Sequence, residues 1–168
     1  MLRSAASNAE LLSSEERDVL RAIEYFAKRY IVPPHTLLKQ EVSALRYVSK
    51  GDNAALSELY DVTYEYLLPD LDTTRAMLLT HVAAQSRGTW NVYELLAIYV
   101  SKYIAVRAYV RKLLYLTKSD STAKYRELEA SNKQLEDALV ELGSKPEHRE
   151  LQPFLDQYRV KFMTYGDC

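Results

Sequence analysis

Three observations on the 168-residue sequence predict an all-α fold of stacked antiparallel helical hairpins, a fragment of an α-solenoid with about seven helices. Apolar residues recur three and four positions apart in segment after segment. The breakers are sparse, with four glycines and five prolines, which favours long helices over a many-turned β protein. A four-residue signature also returns at a fixed interval: Tyr30-Ile31-Val32-Pro33 and Tyr66-Leu67-Leu68-Pro69 stand 36 residues apart, and Tyr103-Ile104-Ala105-Val106 echoes them 37 residues later.

Taken in order, residues 1–13 read as a flexible N-terminus and residues 14–168 as one helical domain. Met1 to Ser7 contains arginine and serine and no acid precedes Glu10, so the start reads either as a frayed polar terminus or as the remnant of a mitochondrial transit peptide. The first helix opens at Ser13-Ser14-Glu15-Glu16, where Ser13 and Glu16 have the spacing of a capping box. Val19, Leu20, Ile23, Phe26, Ala27 and Tyr30 give it an apolar face, and Pro33-Pro34 is expected to end it. A second helix from about His35 to Lys50 closes at Gly51, and a third from Asp52-Asn53 closes before Pro69. A fourth starts near Asp72 or Thr73 and stops at Gly88.

The fifth helix has Asn91 as its cap, with Glu94 three residues on, and continues to about Thr117. In the sixth, residues 121–142, a heptad seam of Tyr125, Leu128, Leu135, Leu139 and Leu142 encloses a polar Asn132, and Gly143 closes it. The seam is expected to pack on the fifth helix or on another subunit. The seventh, residues 153–165, presents Phe154, Leu155, Tyr158 and Phe162.

Composition narrows the function. Hydrophobic residues make up 48% and charged residues 27%, ordinary globular values. The formal net charge of −1 supplies no global field toward nucleic acid or an anionic membrane. The single cysteine, Cys168, excludes an internal disulfide and a thiol-rich metal site. The apolar run Leu95 to Val100 is far shorter than the roughly 20 residues a membrane span needs. No phosphate-binding glycine loop or nucleophile elbow is present. His35, His81 and His148 fall on separate elements and read as surface or helix-end residues, not metal ligands. Neither catalytic residue, cofactor, metal nor small-molecule substrate is expected.

Two surfaces stand out. Lys102, Arg107, Arg111 and Lys118 form a candidate basic patch on the fifth helix. The acidic sixth helix, with Glu129 and Glu136 among its carboxylates, offers a second account in which the two helices pair their charges. Tyrosine occurs 14 times, and Trp90, Tyr93 and Tyr109 are expected as an exposed aromatic anchor for a protein partner. Leu128 and Leu135 of the heptad seam are the second candidate interface.

The run Pro69-Asp70-Leu71-Asp72-Thr73-Thr74-Arg75-Ala76-Met77-Leu78-Leu79, with Gly88 and Tyr93-Glu94-Leu95-Leu96 after it, resembles a pentatricopeptide repeat. Residues 33–68 resemble the same unit, and 69–105 complete the second. Such arrays read single-stranded RNA with polar side chains early in the first helix of each unit. Lys39 and Arg75 occupy those positions here, and charged side chains do not discriminate bases. With Thr89-Trp90-Asn91-Val92-Tyr93-Glu94 in the second unit, the chain is similar to the eighteen-kilodalton accessory subunits of euglenozoan mitochondrial F1-ATPase. That resemblance implies a non-catalytic mitochondrial subunit on the F1 α subunit, on the matrix side of the inner membrane. A small RNA-binding pentatricopeptide-type protein of the mitochondrion is the alternative, and an adaptor that holds a partner's helix against the Tyr125 to Leu142 seam is a third.

Overall fold

A computed structural model of the chain describes residues 12–49, 54–85, 90–117 and 123–160, and every regular element among them is helical. The prolines behave differently from the sequence expectation. Helix α1 runs through residues 14–49 without a turn: an α-helix Ser14–Phe26, a π-helical turn Ala27–Ile31, and an α-helix Val32–Ser49 that contains Pro33 and Pro34. Helix α2, residues 54–84, repeats the scheme with Ala54–Val62, a π turn Thr63–Leu67 and Leu68–Ala84, which contains Pro69. Helices α3 (Val92–Thr117), α4 (Ala123–Ser144) and α5 (Leu151–Gln157) follow, with a single 3-10 turn Pro146–His148 between the last two. Five helical rods stand among the described residues where seven are expected from the breakers.

The reason lies in what proline removes. It lacks an N–H, and its ring presses on the carbonyl four residues back, which normally breaks a helix. Here each proline is preceded by a widened turn in which the N–H of Val32 reaches Ala27 O, and that of Leu68 reaches Thr63 O, five residues back instead of four. Threonines flank these turns: Thr36 Oγ1 donates to Val32 O at 3.0 Å, Thr63 Oγ1 to Leu59 O at 2.8 Å, and Thr73 Oγ1 to Pro69 O at 3.0 Å. Threonine bonding back to the preceding turn itself favours a bend. The Tyr-to-Pro signature therefore marks a π turn that carries proline inside a helix, used twice in matching register, Ala27–Ile31 and Thr63–Leu67.

The other helix ends follow the sequence more closely. Ser13 and Glu16 close both arms of the capping box, at 3.0 and 3.2 Å. Asn91 Oδ1 accepts the Tyr93 N–H at 2.8 Å, whereas Glu94 turns away and accepts from the Tyr158 hydroxyl at 2.8 Å. Helix α2 stops at Gln85, which adopts the left-handed conformation at φ 48°, before the expected stop at Gly88. Helix α4 continues through Gly143 to Ser144, and α5 starts at Leu151, two residues ahead of Pro153. Gly51, Gly88, Lys118, Phe162, Cys168 and the first eleven residues lie outside the described residues.

Helix α3 is the centre of the packing. Val92, Leu95, Leu96, Tyr99, Val100, Tyr103, Val106, Val110 and Leu113 are all buried along it. The Leu68–Ala84 half of α2 lies along α3 and against Ser14–Phe26, while the Val32–Ser49 half of α1 lies on α3 and α4. Leu128, Leu135, Leu139 and Leu142 of the heptad seam are buried, and α4 sets its backbone closest to the second half of α1, not to α3.

Candidate functional site

Because α1 does not end at Pro33, His35 falls on the inner face of a continuing helix instead of at a helix start. It is fully buried, a correction to the expectation of a surface or helix-end residue. Its Nε2 lies 2.6 Å from Asp72 Oδ1 of α2 and its Nδ1 2.6 Å from the Tyr99 hydroxyl of α3. A carboxylate only accepts, so Nε2 carries the proton and Nδ1 accepts from Tyr99. Burial pushes the His35 pKa down, against the hydrogen bond to Asp72, so the ring is neutral at pH 7. Burial also pushes Asp72 up, but bonds from His35 and Lys39, whose Nζ stands 3.2 Å from Oδ2, outweigh it and hold Asp72 below the usual carboxylate range.

The polar contacts continue along α3 at four-residue intervals: Tyr99, Tyr103, Arg107 and Arg111. Tyr99 and Tyr103 stack with ring centroids 6.2 Å apart. The Tyr103 hydroxyl donates to Asn132 Oδ1 of α4, Arg107 Nη1 meets Glu136 Oε1 at 2.8 Å, and Arg111 Nη2 meets Glu129 Oε2 at 3.1 Å. One position along, Lys102 Nζ stands 3.0 Å from Asp70 Oδ2 and donates to Thr74 Oγ1 at 3.0 Å. Burial holds both tyrosine hydroxyls far above their ordinary pKa, so they act only as neutral donors.

The three described members of the candidate basic patch, Lys102, Arg107 and Arg111, are thus each paired with a carboxylate, and Arg107 is buried. The opposed acidic helix α4 neutralises Arg107 and Arg111, as the charge-pairing account of the sequence expects, whereas Lys102 pairs with Asp70 of α2. Leu128 and Leu135 are buried within the chain itself, at 1% and 2% exposure, so they offer no outward face. Asp72, His35 and Tyr99 have the residue types of a proton relay, yet His35 and Tyr99 are wholly removed from solvent and line neither cavity described below. Their geometry is that of a satisfied buried polar cluster joining three helices. No cluster of three or more metal-ligating side chains occurs among the described residues.

The aromatic candidates divide. Tyr93 is buried, and its hydroxyl lies 2.7 Å from Nδ1 of His148, itself buried, where burial pushes the phenol up to about 12. Tyr93 is therefore a strut between α3 and the 3-10 turn, not an exposed anchor. Tyr109 and Trp90 are exposed, Trp90 at 41%. Trp90 and His81 line a cavity of about 1140 Å³ between the start of α1, the end of α2 and residues 146–150. Glu15, Asp18, Glu147 and Glu150 give this cleft an acidic wall.

A second, smaller cavity of about 480 Å³ sits between α1 and α2, lined by Thr36, Lys39, Gln40, Ser43 and Arg75. Sequence spacing alone marks Lys39 and Arg75 as equivalent positions 36 residues apart, but not that they face one space. Among the described residues no helix is long and apolar enough to cross a membrane. Comparison with protein-family models, with curated proteins and with solved structures finds no match for this chain.

Proposed function

We propose that the chain is a non-catalytic helical subunit of a larger protein assembly and that it docks through the Trp90 cleft. The observation that supports this reading is an exposed indole lining a cleft with carboxylates along its wall. A tryptophan in such a recess is the kind of anchor that dominates protein interfaces, and the carboxylates favour a basic segment of the partner. The units 33–68 and 69–105 are read as two hairpins of a short α-solenoid fragment, each joined to its neighbour through a π-bent helix instead of a turn. By the sequence resemblance, the assembly is the F1 sector of a mitochondrial ATP synthase, and the contact is with an α subunit.

The test is native purification of the tagged chain from mitochondria, with and without nuclease. Co-migration with F1 α and β subunits, lost in Trp90→Ala, is the expected result. A nuclease-sensitive ribonucleoprotein without F1 subunits would sink the reading and favour the RNA-binding alternative. The pairing of Lys102, Arg107 and Arg111 with carboxylates counts against that alternative, because a paired cation contributes little to a phosphate-binding field.

A further inference from the structure

The smaller cavity carries the inference. Four of its lining residues, Thr36, Lys39, Gln40 and Ser43, follow one face of α1 at helical spacing, and Arg75 closes it from α2. No carboxylate lines it. Thr36 is committed to Val32 O and Lys39 contacts Asp72, but Gln40, Ser43 and Arg75 have no hydrogen-bond or ion-pair partner among the described residues. The Arg75 Nε is buried without a partner, a costly arrangement for a guanidinium in a chain that pairs Arg107 and Arg111. With Asp72 counted against Lys39 and Arg75, and His35 neutral, the local charge is +1.

We propose that this cavity is a binding site for a phosphate group, free or carried by a small phosphomonoester. A guanidinium presents paired donors that match an oxyanion, and the Lys39 ammonium, the Gln40 amide and the Ser43 hydroxyl add further donors around the same space. The recess is open to solvent on one side, so an ester group carried by the phosphate can extend outward from it.

The experiment is a titration of the full-length isotope-labelled chain, followed by amide and arginine side-chain NMR, with inorganic phosphate and separately with ribose 5-phosphate at constant ionic strength. The expected result is a saturable shift confined to Thr36, Lys39, Gln40, Ser43 and Arg75, including the Arg75 Nε–H. Arg75→Gln weakens it at least about tenfold, Arg75→Lys weakens it less, and Gln40→Glu abolishes it. Gln40 is solvent-exposed, so that variant leaves the core untouched and keeps the test valid if Arg75→Gln unfolds. Equal affinity for the two probes identifies free phosphate as the ligand, and tighter binding of the sugar phosphate identifies the ester. Shifts that fail to saturate with either probe, or that persist unchanged in Gln40→Glu, would overturn the proposal.

Discussion

Helices α1 and α2 on one side, and α3 on the other, answer the same sequence signature in opposite ways. At Tyr30–Pro33 and Tyr66–Pro69 the chain inserts a π turn and carries the proline inside a continuing helix. At Tyr103–Val106 the proline is replaced by valine, and α3 stays α-helical from Val92 to Thr117. Signature and proline together come with a π turn, whereas the signature alone gives a buried tyrosine in an uninterrupted α-helix, here Tyr103 against Asn132. Helix α3 then spends that face on polar contacts with α1 and α4: His35 of α1 reaches Tyr99 on it, and Asp72 of α2 joins through His35.

The comparison can be broken most sharply at Val106. Val106→Pro places a proline in a buried helix with no π turn before it, and should destabilise the chain by at least about 3 kcal/mol in urea denaturation. A loss under 1 kcal/mol would mean that α3 can take up a proline as α1 and α2 do. Next comes the polar stripe. Arg107→Met leaves Glu136, whose side chain is 21% exposed, without its partner, and should cost roughly 2 kcal/mol. Lys102→Met, at a pair 38% and 57% exposed, should cost under about 1 kcal/mol. Equal losses would contradict the placement of Arg107 in the interior.

A third effect is pH dependence. Burial lowers the pKa of His35, and also of His81 and His148, below the ordinary 6.5, so the unfolded chain takes up protons that the folded chain refuses. Stability should therefore be full above that value and fall as pH drops below it, and His35→Gln should make the fall shallower. Asp72, held low, adds its own loss only in more acidic solution, below 3.8. Urea midpoints at pH 7.5 and 5.5 that coincide would contradict the neutral, buried His35. The smallest effect belongs to Pro69→Ala, expected within about 1 kcal/mol because the π turn already absorbs what proline removes.

Much of the all-α class was legible, because caps and apolar spacing are local: the Ser13–Glu16 box, Asn91, and the long helix to Thr117 are where the residues place them. The prolines were misleading for a physical reason. A missing N–H is visible in the sequence, but the widened turn that accommodates it is a backbone choice, signalled only by the repeat of Tyr, apolar, apolar, Pro. The burial of His35 followed from that choice, since a helix end at Pro33 would have put it near solvent. Asn132 was legible as a polar break in an apolar seam, but its partner Tyr103 was not, because it comes from another helix. Lys39 and Arg75 were legible as equivalent positions, and their convergence on one cavity again needed the fold.

The central claim is that Pro33 and Pro69 follow π turns inside continuous helices and do not mark turns between separate ones. Distance measurement by pulsed electron resonance tests it, with spin labels at the exposed positions Arg21 and Ala44, and separately Glu58 and Thr80, in a Cys168→Ser background. Continuous helices place each backbone pair about 30–35 Å apart at 1.5 Å per residue. Packed antiparallel hairpins would bring each pair to roughly 10 Å, and that short distance would contradict the account.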